Sequence, residues 1–305
     1  MDISLETLTQ TQKERLAFIE FRAYFLGEVR RTDVTARFGV ATAAATRDIA
    51  LYRSLADANI VLDPKTKAYI VGEGFSPIFK HPVDRVLSAL SQGFGEGIGG
   101  QSKPLVPCET PTTLNFPNVS VLAPITRAIH RKKAVRISYH SFSSGESERE
   151  IVPFSLANNG LRWHVRAYDR RRGRFIDFVL TRIARSALLE ESSIEEHEQV
   201  SHDIQWNRIV SLDLVPHPAK SAHEIIAMDY GMALPERVLK VNVRAALAGY
   251  FLRQWSVDCS PSHSLDGPEI RLWLRNPVAL YGVDSANLAP GYTPIDELGQ
   301  SSISS

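Results

Sequence analysis

Apolar residues recur every three or four positions through the first sixty residues of this chain, and every second position through much of 134–190. The first is the period of helices and the second that of strands. The length of 305 residues agrees with two or three domains. With 35 Lys and Arg against 34 Asp and Glu the formal charge is +1, which argues against a polybasic coat. Counted by region, residues 1–75 and 76–124 are balanced. Residues 125–190 carry fourteen basic and six acidic side chains, and 191–305 carry eight basic and fifteen acidic. That asymmetry marks domains, and the expected divisions are 1–75, a linker over 76–121, 122–191 and 192–305.

In the first division a helix is expected over 5–27, with Leu16, Ile19, Ala23 and Leu26 on its buried face. A short helix follows from Thr32 to Phe38 and stops at Gly39. A longer one opens at Thr42 and runs to Asn59. Two short runs, IVLD and AYIVG, flank the turn Pro64-Lys65-Thr66-Lys67 and read as a hairpin. Two helices joined by a glycine turn and followed by a hairpin describe a winged helix-turn-helix. The second helix begins Thr42-Ala43-Ala44-Ala45-Thr46-Arg47, which is free of bulk and suits close approach to a major groove. The expected contacts with double-stranded DNA are Arg30, Arg31, Thr32, Thr42, Ala43, Ala44, Thr46, Arg47 and Arg53, with Lys65 and Lys67 on the wing. Residues 30–67 hold seven basic against four acidic side chains. The competing reading is a three-helix core whose charges are merely solvated.

The stretch 93–118 is rich in glycine and proline and reads as a linker, preceded by a helix over Pro82–Gln92. The glycines of FGEGIGG (94–100) follow a helix rather than a strand, so they do not form a phosphate loop. Cys108 and Cys259 are too few and too far apart for a disulfide framework or a zinc site, and read as reduced thiols. His217, His223 and Glu224 lack metal-ligand spacing and read as solvated or capping groups. No GxSxG, HExxH, Walker A or strand-borne GxGxxG occurs, so no enzyme, metal or cofactor is expected. No window is apolar enough to span a membrane and no leader pattern opens the chain, so a cytoplasmic protein is expected.

A helix over 122–132 ends in a basic tract, and strands follow in AVRISYHSF, REIVPFSLANN, LRWHVRAYD and FIDFVLTRIARSALLEE. Their short turns suggest a small antiparallel barrel or a strongly bent sheet. Ile137-Ser138-Tyr139-His140, Arg149 and Pro153, LRWHVRAYD and FVLTRI together resemble the WYL domain, with Trp163-His164-Val165 standing where that family has Trp-Tyr-Leu. The whole chain, including DFVLTRI and RNPVALYGVDS, resembles WYL-domain transcriptional regulators of the BrxR/CapW type, encoded beside bacterial anti-phage defence systems.

The resemblance implies a multidomain α+β chain: a winged helix-turn-helix, an SH3-like β-barrel, and a C-terminal α+β extension that forms a homodimer. It also implies a repressor of a defence operon, bound to an inverted-repeat operator and released by a nucleotide or nucleic-acid effector. Candidate effector contacts are Tyr139, Ser141, Arg149, Trp163, His164, Arg166 and Arg182, because arginine forks suit phosphate and aromatic rings suit bases. Trp163 reads first as core, and Arg170-Arg171-Arg172 as a solvated turn rather than a site. Two other readings stay open: a single-stranded nucleic-acid adaptor, and an enzyme acting on a nucleotide messenger. The charge distribution puts the strongest positive field on the middle division. The head alone is then expected to bind DNA weakly, with dimerisation supplying the affinity.

Overall fold

The computed structural model describes residues 5–94, 104–109, 111 and 114–294. The chain divides into two compact units, 1–111 and 112–305.

The first unit opens with a short 3-10 turn and then helix α1 (Gln10–Leu26). Thr9 starts this helix with a reciprocal capping box, its hydroxyl accepting from Gln12 N at 3.3 Å, so the helix begins five residues later than expected. Strand β1 (Glu28–Val29) and α2 (Arg31–Phe38) follow. Gly39 ends α2 at φ 65°, the left-handed conformation that favours glycine, and its N–H bonds Thr35 O. Helix α3 spans Thr42–Leu55, and strands β2 (Ile60–Leu62) and β3 (Tyr69–Val71) form the hairpin. The sheet runs β1-β3-β2, so the hairpin is anchored by a strand between the first two helices. Helix α3 stops four residues before Asn59. That side chain is buried, donating to the Tyr52 hydroxyl and to Ser76 O at 2.8 Å, and cannot continue a helix. Leu16, Ile19, Val34, Ala45, Ile49, Tyr52 and Ile60 form the core.

Phe75, Ile78, Phe79 and Phe94 pack against that core, so residues expected as linker belong to the head as far as Phe94. Within them lies α4 (Val83–Gln92), as expected. Glu20, fully buried on α1, accepts from the Tyr52 hydroxyl (2.8 Å), Ile78 N (2.9 Å) and Phe79 N (2.9 Å). The His81 ring nitrogen lies 2.8 Å from it. The FGEGIGG glycines from residue 95 onward lie outside the described residues.

The second unit begins with α5 (Val119–Arg131), capped by Asn118. Five antiparallel strands follow: β4 (Ala134–Ser141), β5 (Gly145–Asn158), β6 (Trp163–Asp169), β7 (Arg174–Val179) and β8 (Ile183–Leu189). The run FIDFVLTRIARSALLEE, expected as one strand, is thus two strands broken by a 3-10 turn at Leu180–Arg182. The order is β7-β6-β5-β4-β8, and among the described residues the edge strands do not pair, so the sheet is bent but not a closed barrel. Register shifts at Ser138/Tyr139 and Pro153/Ser155 produce that bend. Val135, Ile137, Tyr139, Ile151, Val165, Ala167 and Phe178 face α5 and bury together with Val121, Ile125 and Ala128.

The rest of this unit comprises α6 (Ile204–Asn207), β9 (Ile209–Pro216), α7 (His223–Asp229), β10 (Leu239–Arg244), α8 (Ala245–Gln254) and β11 (Leu272–Leu274). The sheet order is β10-β9-β11. Helix α8 lies close on the chain at Ser285. A Cβ at Gly249 would stand 1.7 Å from Ser285 O, so only glycine permits the approach. His217 is buried here rather than solvated. Its Nδ1 accepts from Ala219 N, which leaves Nε2–H to donate to Asp258 at 3.1 Å. Both ring nitrogens are therefore committed, and the pair with nearby Ser260 cannot act as a nucleophilic triad.

Candidate functional site

On α3, Ala45, Asp48, Ile49 and Tyr52 are buried, so the helical period turns Ala43, Arg47, Ala50 and Arg53 outward. Asp48 is held from below by Arg15, whose Nε donates at 2.6 Å, which fixes the helix on α1. Thr46 returns its hydroxyl to Thr42 O (2.9 Å), and Thr42, Ala43 and half-buried Ala44 complete a surface without bulk. Arg47 and Arg53 are exposed and have no partner among the described residues.

The wing turn is closed by Asp63, which accepts from Lys65 N (2.9 Å) and the Thr66 hydroxyl (2.6 Å). These bonds hold its carboxyl below the usual range. Lys65 and Lys67 are left exposed at the tip, Lys67 in a left-handed conformation at φ 59°. The structure thus brings the α3 residues and the wing lysines to the surface of one unit. Arg30 differs. It binds Glu28 at 3.1 Å and reaches back to Thr66 O at 3.1 Å, so it braces the wing turn. Arg31 is half-buried and Thr32 exposed at the start of α2.

The seven candidate effector contacts do not share one face. Tyr139 and Arg149 lie on the side toward α5. Arg149 is buried, donating to Asp169 at 2.6 Å and lying 5.9 Å from the ring centres of Tyr139 and Phe178. The Tyr139 hydroxyl is 3.4 Å from Val179 N. His164 and Arg166 point to the opposite side, where the C-terminal part covers them. Arg166 places its fork on Asp203 (2.7 and 3.0 Å) and a third bond on Asp177 (3.2 Å). His164 is buried against the Tyr250 ring, 5.2 Å between centres. Burial lowers the His164 pKa and raises those of Asp177 and Tyr250, the last to about 12.

Arg182 stacks 3.9 Å over Phe142, a ring that is 90% exposed. Ser141 lies beside that turn, 3.1 Å from the Ser143 hydroxyl. Trp163 is 41% exposed and so is not core. Arg170 is not a solvated turn residue: it grips Glu198 at 2.6 and 2.8 Å and Ser192 at 2.7 Å. Arg171 and Arg172 are exposed.

Residues missed from the sequence are therefore the acids Asp169, Asp177, Glu198 and Asp203, with Tyr250 and Phe142. Only Phe142, an aromatic in a polar turn, left a local signal. Cys108 is exposed, whereas Cys259 is buried, which pushes its thiol up to about 12. Among the described residues no group of His, Cys, Asp and Glu is arranged to hold a metal, and no helix is long and apolar enough to cross a membrane.

Comparison with known families places three of their domains along the chain. Residues 11–92 match the winged helix-turn-helix domain of BrxR transcriptional regulators, 120–188 the WYL domain, and 209–280 the BrxR C-terminal dimerization domain. The chain is 30% identical to the DNA-binding transcriptional repressor CapW of Escherichia coli (strain KTE188), over 89% of this chain and 91% of that one. It is 31% identical to CapW of Pseudomonas aeruginosa, over 87% and 89%. Among solved structures, proteasome accessory factor B/C of Arthrobacter aurescens aligns at a TM-score of 0.28 and 17% identity. That alignment covers 79% of this chain and 42% of that one, a likeness on which nothing is built.

Proposed function

The chain belongs to the family of CapW-type DNA-binding transcriptional repressors, and from that premise we propose that it is a homodimeric repressor of an anti-phage defence operon. In this reading it acts in the cytoplasm, is released by a nucleotide or nucleic-acid effector bound at the middle domain, and is not an enzyme. The observation that carries the reading is the exposed stripe of α3, small side chains flanked by Arg47 and Arg53, unpaired among the described residues, with Lys65 and Lys67 on the wing. Thr methyl groups and alanines suit thymine methyls, an arginine fork suits guanine, and lysines suit phosphates.

Two heads related by two-fold symmetry require half-sites about 10 bp apart, or a multiple. The C-terminal part provides the dimer contact and so joins two heads that each bind weakly. An effector shifts the repressor only as far as it binds the DNA-free arrangement better. The test is a gel-shift of the full chain with duplex DNA from the region upstream of its own gene. A two-step or single dimeric shift on an inverted repeat is expected. Tighter binding to single strands than to that duplex overturns the reading.

A further inference from the structure

Beside the Arg166–Asp203 contact lies a cavity of about 420 Å³, within the range of small-molecule sites. Its walls come from the outer side of β6 and β7 and from the C-terminal part. Tyr168 and Phe175, directly opposed across the two strands, form an aromatic side with ring centres 5.1 Å apart. The His197 ring meets Tyr168 at 5.2 Å. Arg174, exposed and without a partner among the described residues, stands at the rim with His202, whose Nδ1 faces the Ser201 hydroxyl at 3.3 Å. Arg166 forms the floor. Its charge is at present met by Asp203 and Asp177, and Asp284 also lines the space.

An arginine fork holds a carboxylate and a phosphate with the same paired geometry, so Asp203 occupies the place a phosphate oxygen pair would take. Aromatic rings on the adjacent wall suit a base. We propose that this cavity takes a phosphate-bearing nucleotide, whose phosphate replaces Asp203 on the Arg166 fork. The exchange frees the start of α6 from the sheet and so loosens the C-terminal part on the middle domain. The proposal rests on the reading of an anionic effector and keeps, of the seven candidate contacts, Arg166 alone.

The test is calorimetric titration of the full chain with AMP, GMP, a 5′-phosphorylated dinucleotide and inorganic phosphate, alongside the gel-shift. Arg174→Ala and His202→Ala change rim side chains outside the core and are expected to weaken nucleotide binding about tenfold or more, the scale of one charged hydrogen bond. Asp203→Asn removes the competing carboxylate and is expected to tighten binding about tenfold, whereas a merely structural role for Asp203 would weaken it. Arg182→Ala is expected to leave nucleotide affinity unchanged. Loss of binding in Arg182→Ala with binding kept in Arg174→Ala overturns the cavity while leaving the repressor reading intact. Inorganic phosphate binding as tightly as the nucleotides overturns the nucleotide assignment. No binding of any probe at concentrations on the order of 1 mM, with the duplex still shifted, overturns the cavity without touching DNA recognition.

Discussion

Arg47 and Arg53 on α3 stand in solvent with no partner among the described residues, whereas Arg149 and Arg166 in the middle sheet are almost wholly buried, on carboxylates at 2.6 and 2.7 Å. All four read alike in the sequence, as cations on elements of the right period. Their surroundings separate them. An exposed guanidinium keeps its fork free for an incoming base or phosphate, while a buried one holds a carboxylate and acts as a strut for as long as that carboxylate stays in place. Two struts, Arg166 to Asp203 and Arg170 to Glu198, tie the basic middle to the acidic C-terminal part. The opposed charges of those regions are thus partly consumed inside the unit, and less positive charge is left for an effector than the residue count implied.

The sharpest test of this contrast is stability. Arg149→Ala leaves Asp169 buried and unpaired, and is expected to cost on the order of 3–5 kcal/mol in urea denaturation. A cost within ordinary surface variation would show that the strut is idle. Arg47→Ala should do the converse. It leaves the denaturation curve within about 0.5 kcal/mol and weakens binding to the inverted repeat by about 1–3 kcal/mol. Undiminished binding would remove Arg47 from base reading.

A smaller effect is expected from His164. Burial holds its ring below the ordinary value of 6.5. The unfolded chain takes up a proton that the folded chain resists, so stability present above that value declines as pH falls below it toward the folded pKa. A lower urea midpoint at about pH 5.5 than at about pH 7.5 is expected, with the difference reduced in His164→Gln. An unaltered difference would place the pH sensitivity elsewhere. Smallest of all, Lys65→Ala on the wing should weaken duplex binding evenly across sequences and lower the salt slope by about 1. A change confined to one base pair would make Lys65 a reader instead.

The head was legible because its signals are local. Gly39 marks the turn, the small residues of 42–46 mark the exposed start of α3, and the lysines mark the hairpin tip. Strand β9 was missed although Val210, Leu212 and Leu214 alternate inward over its eight residues. The partners of the buried arginines were invisible for a different reason. Asp169 lies 20 positions from Arg149 and Asp203 lies 37 from Arg166, and no local pattern joins a cation to a carboxylate that folding alone brings near. The same distance hid the cavity beside Arg166. It also hid the division of the candidate contacts between two sides of the sheet.

Glu20 carries a mechanical consequence. One carboxylate grips α3 through Tyr52 and the departing chain through Ile78, Phe79 and His81. Its Oε2 accepts from both the Tyr52 hydroxyl on α3 and Ile78 N on the outgoing chain, so a pull on residue 78 acts on the atom that steadies α3. Through Glu20, helix α1 thus joins α3 and the outgoing chain at a single buried side chain.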